Sequence, residues 1–145
     1  MSSFREPLDV RVRDDGKHYE VLDTFTYYLD SNKEALLKVE QGFITDFASV
    51  PRVFWSIYPP FGRYTKCAVL HDRLCVAFLN KELWNNVAVD KDKLPVALQN
   101  RFVRRYEADK LFLDSMKAIK VNAFTRFVLY ASVRVYAIFK YGLKA

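Results

Sequence analysis

The sequence predicts a single domain of the α+β class. The chain has 145 residues, which is about the size of one ordinary domain, and 51% of them are hydrophobic. Residues 1–45 are predicted to be mostly strands, because apolar and polar side chains alternate at 10–13 and 19–22 and the strand-forming residues at 24–29 follow. Residues 46–145 repeat apolar side chains at helical spacing. Strands followed by helices in so short a chain favour one α+β domain spanning residues 1–145.

The predicted strands form a small antiparallel sheet. Residues 8–22 are typical of a hairpin that turns at Asp15 and Gly16. Residues 24–29 are rich in strand-forming side chains, and residues 35–44 are expected to return as a further strand.

Three to four packed helices are predicted after the sheet. Asp46 or Ser49 is expected to cap a short helix with Pro51 in its first turn. The next helix covers residues 66–79, and the polar stretch after it reads as a loop. Pro95 is expected to open a helix that runs to about residue 120. The last helix is predicted from Ala123 to Tyr141.

His71 and Asp109 are expected to meet inside the protein. His71 lies on the apolar stripe of its helix, with Asp72 at the edge of that stripe. Asp109 lies on the stripe of the long helix, where the predicted inward positions are Phe102, Tyr106, Leu113 and Met116. Because an unpaired buried polar group costs about 1–3 kcal/mol, the two side chains are expected to pair.

Three interpretations of this pair stay open from the residues alone: a structural hydrogen bond between helices, a catalytic or metal site, and a binding pocket without chemistry. The candidate catalytic residues are His71, Asp72, Asp109, Asp46 and Ser49. His71, Asp72 and Asp46 are the candidate metal ligands, and an oxygen-rich set with one histidine suits Mg²⁺ or Mn²⁺. Ser49 is a candidate nucleophile, although helix capping is the favoured role.

The charge and cysteine content limit the partners and the compartment. The net charge of +6 permits an anionic polymer as a partner. Nucleic acid is the less favoured choice, because the basic spot at Arg101, Arg104 and Arg105 lacks interleaved aromatic residues and reads as solvated surface. Cys67 and Cys75 lie about 12 Å apart along one helix, so they are expected to stay reduced. Because residues 1–10 lack an apolar h-region and no run of 18 uncharged apolar residues occurs, neither a signal peptide nor a membrane-spanning helix is expected.

The last helix is unusually aromatic. Its predicted inward stripe consists of Phe124, Phe127, Val128, Ala131, Val135 and Ile138. Packing of this stripe on the core is the favoured interpretation. The alternative is docking to another protein subunit or to a membrane surface.

Four motifs occur in order along the chain: GFITDFASVPR at 42–52, AVLHDRL at 68–74, EADKLFLDSM at 107–116 and YASVRVY at 130–136. With these motifs the chain resembles, from about residue 20 to the end, a bacteriophage and prophage family catalogued as domain of unknown function 1353. The matching site positions include Asp46, Ser49, His71, Asp72 and Asp109. Cys75 departs from the usual tyrosine, and the segment at about 80–95 is longer than usual.

The resemblance implies a phage protein encoded among tail and lysis genes, and it assigns no activity. Synthesis in the host cytoplasm is expected, with incorporation into the virion as an alternative. The favoured function is a hydrolase with a His/Asp site that acts on an anionic polymer, with or without a divalent metal. The alternative is a non-catalytic virion or tail component that contacts other phage structural proteins through its C-terminal aromatic helix.

Overall fold

The α+β class is confirmed by the computed structural model, which describes residues 4–16, 18–29, 35–45 and 64–145. The strands in these ranges are β1 (Val10–Val12), β2 (Tyr19–Val21), β3 (Phe25–Tyr28), β4 (Leu36–Val39) and β5 (Ile44–Thr45). The helices that follow are α1 (Thr65–Leu79), α2 (Trp84–Val87), α3 (Arg105–Ala118) and α4 (Ala123–Tyr141), with a 3₁₀ turn at Lys91–Lys93. The short helix predicted around Pro51 lies outside the described residues.

Within the described residues, the predicted antiparallel strands form two small sheets rather than a single one. One sheet has the order β1-β2-β5, and the other pairs β3 with β4. The predicted strand at residues 35–44 divides because Gly42 adopts a φ of 89°, a left-handed conformation that glycine tolerates. The backbone N–H of Gly42 then donates to Val21 at 2.8 Å, which directs the chain away from β3 and onto β2.

Helix α1 runs through the centre of the fold and agrees with its prediction. Its buried side chains include His71, and Asp72 is half-buried at the edge of the same face. Cys67 and Cys75 are buried and unpaired, as expected from their spacing. Arg73 donates to Glu40 at 3.0 Å and to Glu82 at 3.2 Å, and it thereby ties α1 to the segment after β4 and to the segment before α2.

The segment between α1 and α3 differs from its prediction. The supposed polar loop contains α2, whose Trp84 and Val87 are buried. Helix α3 begins at Arg105, ten residues later than predicted from Pro95. The intervening chain cannot be helical throughout, because Asn100 has a φ of 59° and Phe102 forms a β-bridge with Leu83.

The inward positions predicted for the long helix are confirmed only in part, and α4 buries a different face from the one predicted. Met116 and Asp109 are buried as predicted, together with Phe112. Tyr106 is exposed, and so is Phe102, which precedes α3. On α4, the buried residues are Thr125, Leu129, Val133 and Ala137, on the side opposite the predicted aromatic stripe.

Packing of α4 against α3 explains this choice of face. The face that α4 buries is lined mostly by small side chains, which let the two helices approach closely. In addition, an ion pair from Arg134 to Asp109 orients α4 so that the aromatic stripe faces outward. Among the described helices, none has the length and apolar character needed to cross a bilayer.

Candidate functional site

The carboxylate of Asp109 is a fully buried junction between three helices. Its Oδ1 atom lies 2.6 Å from Nε2 of His71 on α1 and accepts a hydrogen bond from Nε of Arg105 on α3 at 3.0 Å. Its Oδ2 atom accepts from Nη1 of Arg134 on α4 at 2.8 Å. The predicted contact between His71 and Asp109 is therefore confirmed, and two arginines complete it.

The acid group of this junction is ionised. Burial alone raises the pKa of Asp109, but the hydrogen bond from His71, together with the charge and hydrogen bond of Arg105, outweighs it, so that the pKa lies below its ordinary value. An ionised carboxylate only accepts hydrogen bonds, so the two arginines and the imidazole must each donate one to it.

The His71 ring is a neutral imidazole held in one orientation. It stacks on Phe112 at a centroid distance of 4.9 Å. Burial lowers the pKa of His71, and although Asp109 acts in the opposite direction, Arg105 opposes protonation and the net shift is downward. Because Nε2 must donate to the carboxylate, the lone pair lies on Nδ1. This is the nitrogen that can accept a proton.

A pocket of about 420 Å³ opens between α1 and α4. Arg105 and His71 reach it from the Asp109 junction, and Asp72 lines it from α1. The remaining lining residues are Cys75, Leu79, Ser132, Val133, Tyr136, Lys140 and Tyr141. A volume of this size lies in the range of small-molecule sites. His71 thus lies at the wall of a cavity, with the fully buried Asp109 behind it.

The other predicted site residues divide into two groups. Asp72 lies beside His71 in the pocket, where it accepts a hydrogen bond from Oγ1 of Thr45 at 2.6 Å. Asp46 and Ser49 lie outside the described residues. The structure therefore brings together His71, Asp72 and Asp109, and the roles of all five residues stay predictions.

A metal-ligand geometry exists at His71, Cys75 and Asp109, whose ligand atoms all lie within 4.8 Å of one another. The chemistry of these donors fits a metal poorly. Burial raises the pKa of Cys75 to about 12, so its sulfur is a protonated thiol. Both oxygens of Asp109 already accept from arginines, and two guanidinium groups would repel a cation. The oxygen-rich set of His71, Asp72 and Asp46 stays a prediction.

Cys75 is also a poor nucleophile. Its sulfur lies 3.5 Å from Nε2 of His71 and 3.8 Å from Nδ1, so it lies beside the ring. In a catalytic triad, the carboxylate contacts one ring nitrogen of the histidine and the nucleophile contacts the other. Here Asp109 and the sulfur of Cys75 both lie nearest to Nε2, so Cys75, His71 and Asp109 do not form a triad. The thiol, with its raised pKa, is inert.

Arg105, Arg134 and Lys140 were not predicted as site residues. Arg105 was assigned to the solvated surface, but it is only 5% exposed. One signal was present in the sequence: Arg105 precedes Asp109 by four residues, a spacing that places both side chains on one helical face. No such local signal links Arg134 or Lys140 to α1, because their proximity depends on how α4 packs.

A sequence model of a protein family matches residues 19–133. The family is described as "Protein of unknown function (DUF1353)". No curated protein and no solved structure matches the chain.

Proposed function

Because the chain belongs to the DUF1353 family, whose description assigns no chemistry, we propose a function from the site: a hydrolase in which His71 is the general base. The observation that carries this proposal is the neutral imidazole of His71 at the wall of a pocket, with Asp109 accepting a hydrogen bond from its other ring nitrogen. Asp109 is a positioning residue, because it fixes the tautomer and orientation of the ring.

The proposed reaction begins with a water molecule bound near Nδ1 of His71. As the water oxygen bonds to the electrophilic atom of the substrate, its proton passes to Nδ1. The imidazolium that forms is stabilised by the ionised Asp109 and returns the proton to the leaving oxygen as its bond breaks. Asp72, in the same pocket, is positioned to orient the water. One proton of the water thus ends on the leaving group, and the other stays on the oxygen that has bonded to the substrate.

The resemblance of the motifs to a phage and prophage family supports a bacteriophage setting for this hydrolase, among tail and lysis functions. An anionic polymer of the host, such as cell wall or nucleic acid, is the broad substrate class. Excess positive charge on the protein, +6 at neutral pH, supports an anionic substrate.

His71→Gln is expected to reduce hydrolysis by at least about 100-fold, because the change removes the general base. The activity of the unmodified protein should be assayed first on bis(p-nitrophenyl) phosphate, p-nitrophenyl phosphate, p-nitrophenyl acetate, peptidoglycan and DNA. The neutral form of His71 is the active base, so activity should rise with pH, and because its pKa lies below the ordinary value of about 6.5, half-maximal activity is expected below that pH.

The matched control is His18→Gln, which alters an exposed histidine at the hairpin turn and should leave the rate unchanged. Circular dichroism of both variants establishes that they fold. A folded His71→Gln protein with full activity would contradict the proposal. Failure of the unmodified protein to hydrolyse any of the five substrates would also count against it.

A second candidate function follows from the outward face of α4. Phe127, on the aromatic stripe that the sequence predicted to be buried, is 68% exposed, and Phe139 near the end of α4 is 87% exposed. Arg126 and Lys140 lie off this stripe, and the charge of Arg134 is paired with Asp109. Such a face favours a non-catalytic component that assembles through α4. We commit to a second copy of this chain as the occupant, because two uncharged stripes can pair about a two-fold axis without charge repulsion.

Self-association through α4 predicts a dimer that Phe127→Glu combined with Phe139→Glu converts to a monomer. Both side chains are exposed, so the double change should leave the fold intact. Sedimentation equilibrium between about 10 μM and 1 mM would measure the dimer, covering the affinity range expected of weak protein interfaces. A monomer over this whole range, or a dimer that survives both changes, would exclude this assembly.

A further inference from the structure

The guanidinium of Arg105 has hydrogen-bonding capacity that the described residues leave unused. Its Nε atom donates to Asp109 at 3.0 Å. No described residue accepts a hydrogen bond from its Nη1 or Nη2 atoms, although the side chain is only 6% exposed and lines the pocket. Buried guanidinium groups usually find acceptors for all their donors. The free end of Arg105 is therefore available for an acceptor that enters the pocket.

Asp109 cannot supply that acceptor, because it is already shared. His71 and Arg105 both contact Oδ1, and Arg134 occupies Oδ2. One carboxylate thus serves two guanidinium groups and an imidazole. An additional anion in the pocket would compensate the charge of Arg105.

A second cation faces the same space from α4. Nζ of Lys140 lies 5.4 Å from the centre of the Tyr136 ring and 5.8 Å from that of Tyr141. The guanidinium carbon of Arg105 lies 5.7 Å and 5.8 Å from the same two rings. The two cations therefore share a pair of aromatic side chains, and all four residues line the pocket.

We propose that this pocket binds a phosphate monoester, whose phosphate group is held by Arg105 and Lys140. The planar Nη donors of Arg105 suit two oxygens of one phosphate, and Lys140 supplies a third donor as a point charge. Two cations also match the dianionic charge of a phosphate monoester better than the single charge of a carboxylate. Tyr136 and Tyr141 offer an aromatic wall for the organic part of the ligand.

As a substrate assignment, this inference rests on the proposed hydrolase. His71 and Arg105 contact the same oxygen of Asp109, so a phosphorus atom held by Arg105 lies close to the imidazole. A water oxygen would bond to phosphorus, its proton would pass to Nδ1 of His71, and the ester P–O bond would break. The leaving oxygen would take the proton from His71, so that an alcohol and inorganic phosphate are the products.

Isothermal titration calorimetry with phenyl phosphate at pH 7 tests the binding separately from the chemistry. Benzoate and inorganic phosphate are titrated in parallel, so that the aromatic and the phosphate contributions are distinguished. Phenyl phosphate is expected to bind at least tenfold more tightly than benzoate. Arg105→Gln and Lys140→Gln are each expected to weaken the binding of phenyl phosphate at least tenfold.

Lys110→Gln is the matched control, because Lys110 is exposed on α3 and pairs with Asp114 away from the pocket. Its affinity for phenyl phosphate should equal that of the unmodified protein. Lys140 is exposed, so its variant keeps the test decisive even if Arg105→Gln fails to fold.

The outcomes separate this inference from the proposed hydrolase. Phenyl phosphate binding that persists in His71→Gln, with no hydrolysis by either protein, would support the pocket assignment and contradict the proposed reaction. Hydrolysis of p-nitrophenyl acetate without any phenyl phosphate binding would support the hydrolase and overturn the assignment. Equal affinities for benzoate and phenyl phosphate, or binding unaffected by Lys140→Gln, would also overturn it.

Discussion

Asp109→Ala is expected to destabilise the fold by about 3–5 kcal/mol, the cost of removing one partner from a buried ion pair. The change leaves the guanidinium of Arg105 and the imidazole of His71 without their shared acceptor, and it also deprives Arg134 of its carboxylate. Urea denaturation at pH 7, followed by circular dichroism, measures the loss in the free energy of unfolding.

Asp114→Ala is the control for this change, because Asp114 lies on the same helix in an exposed pair with Lys110. Its expected cost is about 0–1 kcal/mol. Because the pKa of Asp109 is lowered by folding, its contribution is present above the unfolded pKa of about 3.9 and lost as the pH falls through the folded value. The difference in the free energy of unfolding between the unmodified protein and Asp109→Ala should therefore become smaller in strong acid. If Asp109→Ala and Asp114→Ala lowered the free energy of unfolding equally at pH 7, the stabilising role of the Asp109 junction would be contradicted.

Phe112→Ala is expected to cost about 3–5 kcal/mol, as large aromatic truncations in a core do. Phe112 is 1% exposed and lies against the face of the His71 ring, so its removal leaves a cavity beside the imidazole. Water that reaches this cavity would reduce the desolvation of His71 and raise its pKa toward the ordinary value of about 6.5. Urea denaturation measures the first effect, and NMR titration of the imidazole measures the second.

Phe124→Ala is the matched control, since it removes the same side chain from the surface of α4, where Phe124 is 70% exposed. A change within about 0.5 kcal/mol is expected there. If Phe112→Ala cost no more than this, or if it left the pKa of His71 unchanged, the stacked arrangement of the two rings would be wrong.

Features that depend on local sequence were predicted well. The hairpin follows from alternation around Asp15 and Gly16, and α1 follows from one continuous apolar stripe. The bounds of α4 were predicted because Gly142 ends it. The contact of His71 with Asp109 was predicted because each is a polar residue on an apolar stripe, and burial of both requires a partner.

Features that depend on tertiary packing were not predicted. Helix α4 carries apolar residues on opposite sides, and periodicity selects the more aromatic side, whereas packing on α3 selects the smaller residues around Val133. That error hid Arg134, because the predicted orientation would not direct it toward Asp109. Arg105 was missed because arginine is usually exposed, and only the completed junction shows why it is buried.

The three donors to Asp109 have a consequence for how the protein unfolds. The partners are separated by 38 residues for His71 and by 25 residues for Arg134, and each belongs to a different helix. Fraying of α4 alone would expose an uncompensated charge in the interior, so the three helices should open together as one cooperative unit in amide hydrogen exchange. The same coupling means that a partly unfolded chain has no assembled pocket, and any catalysis or ligand capture would belong to the native state alone.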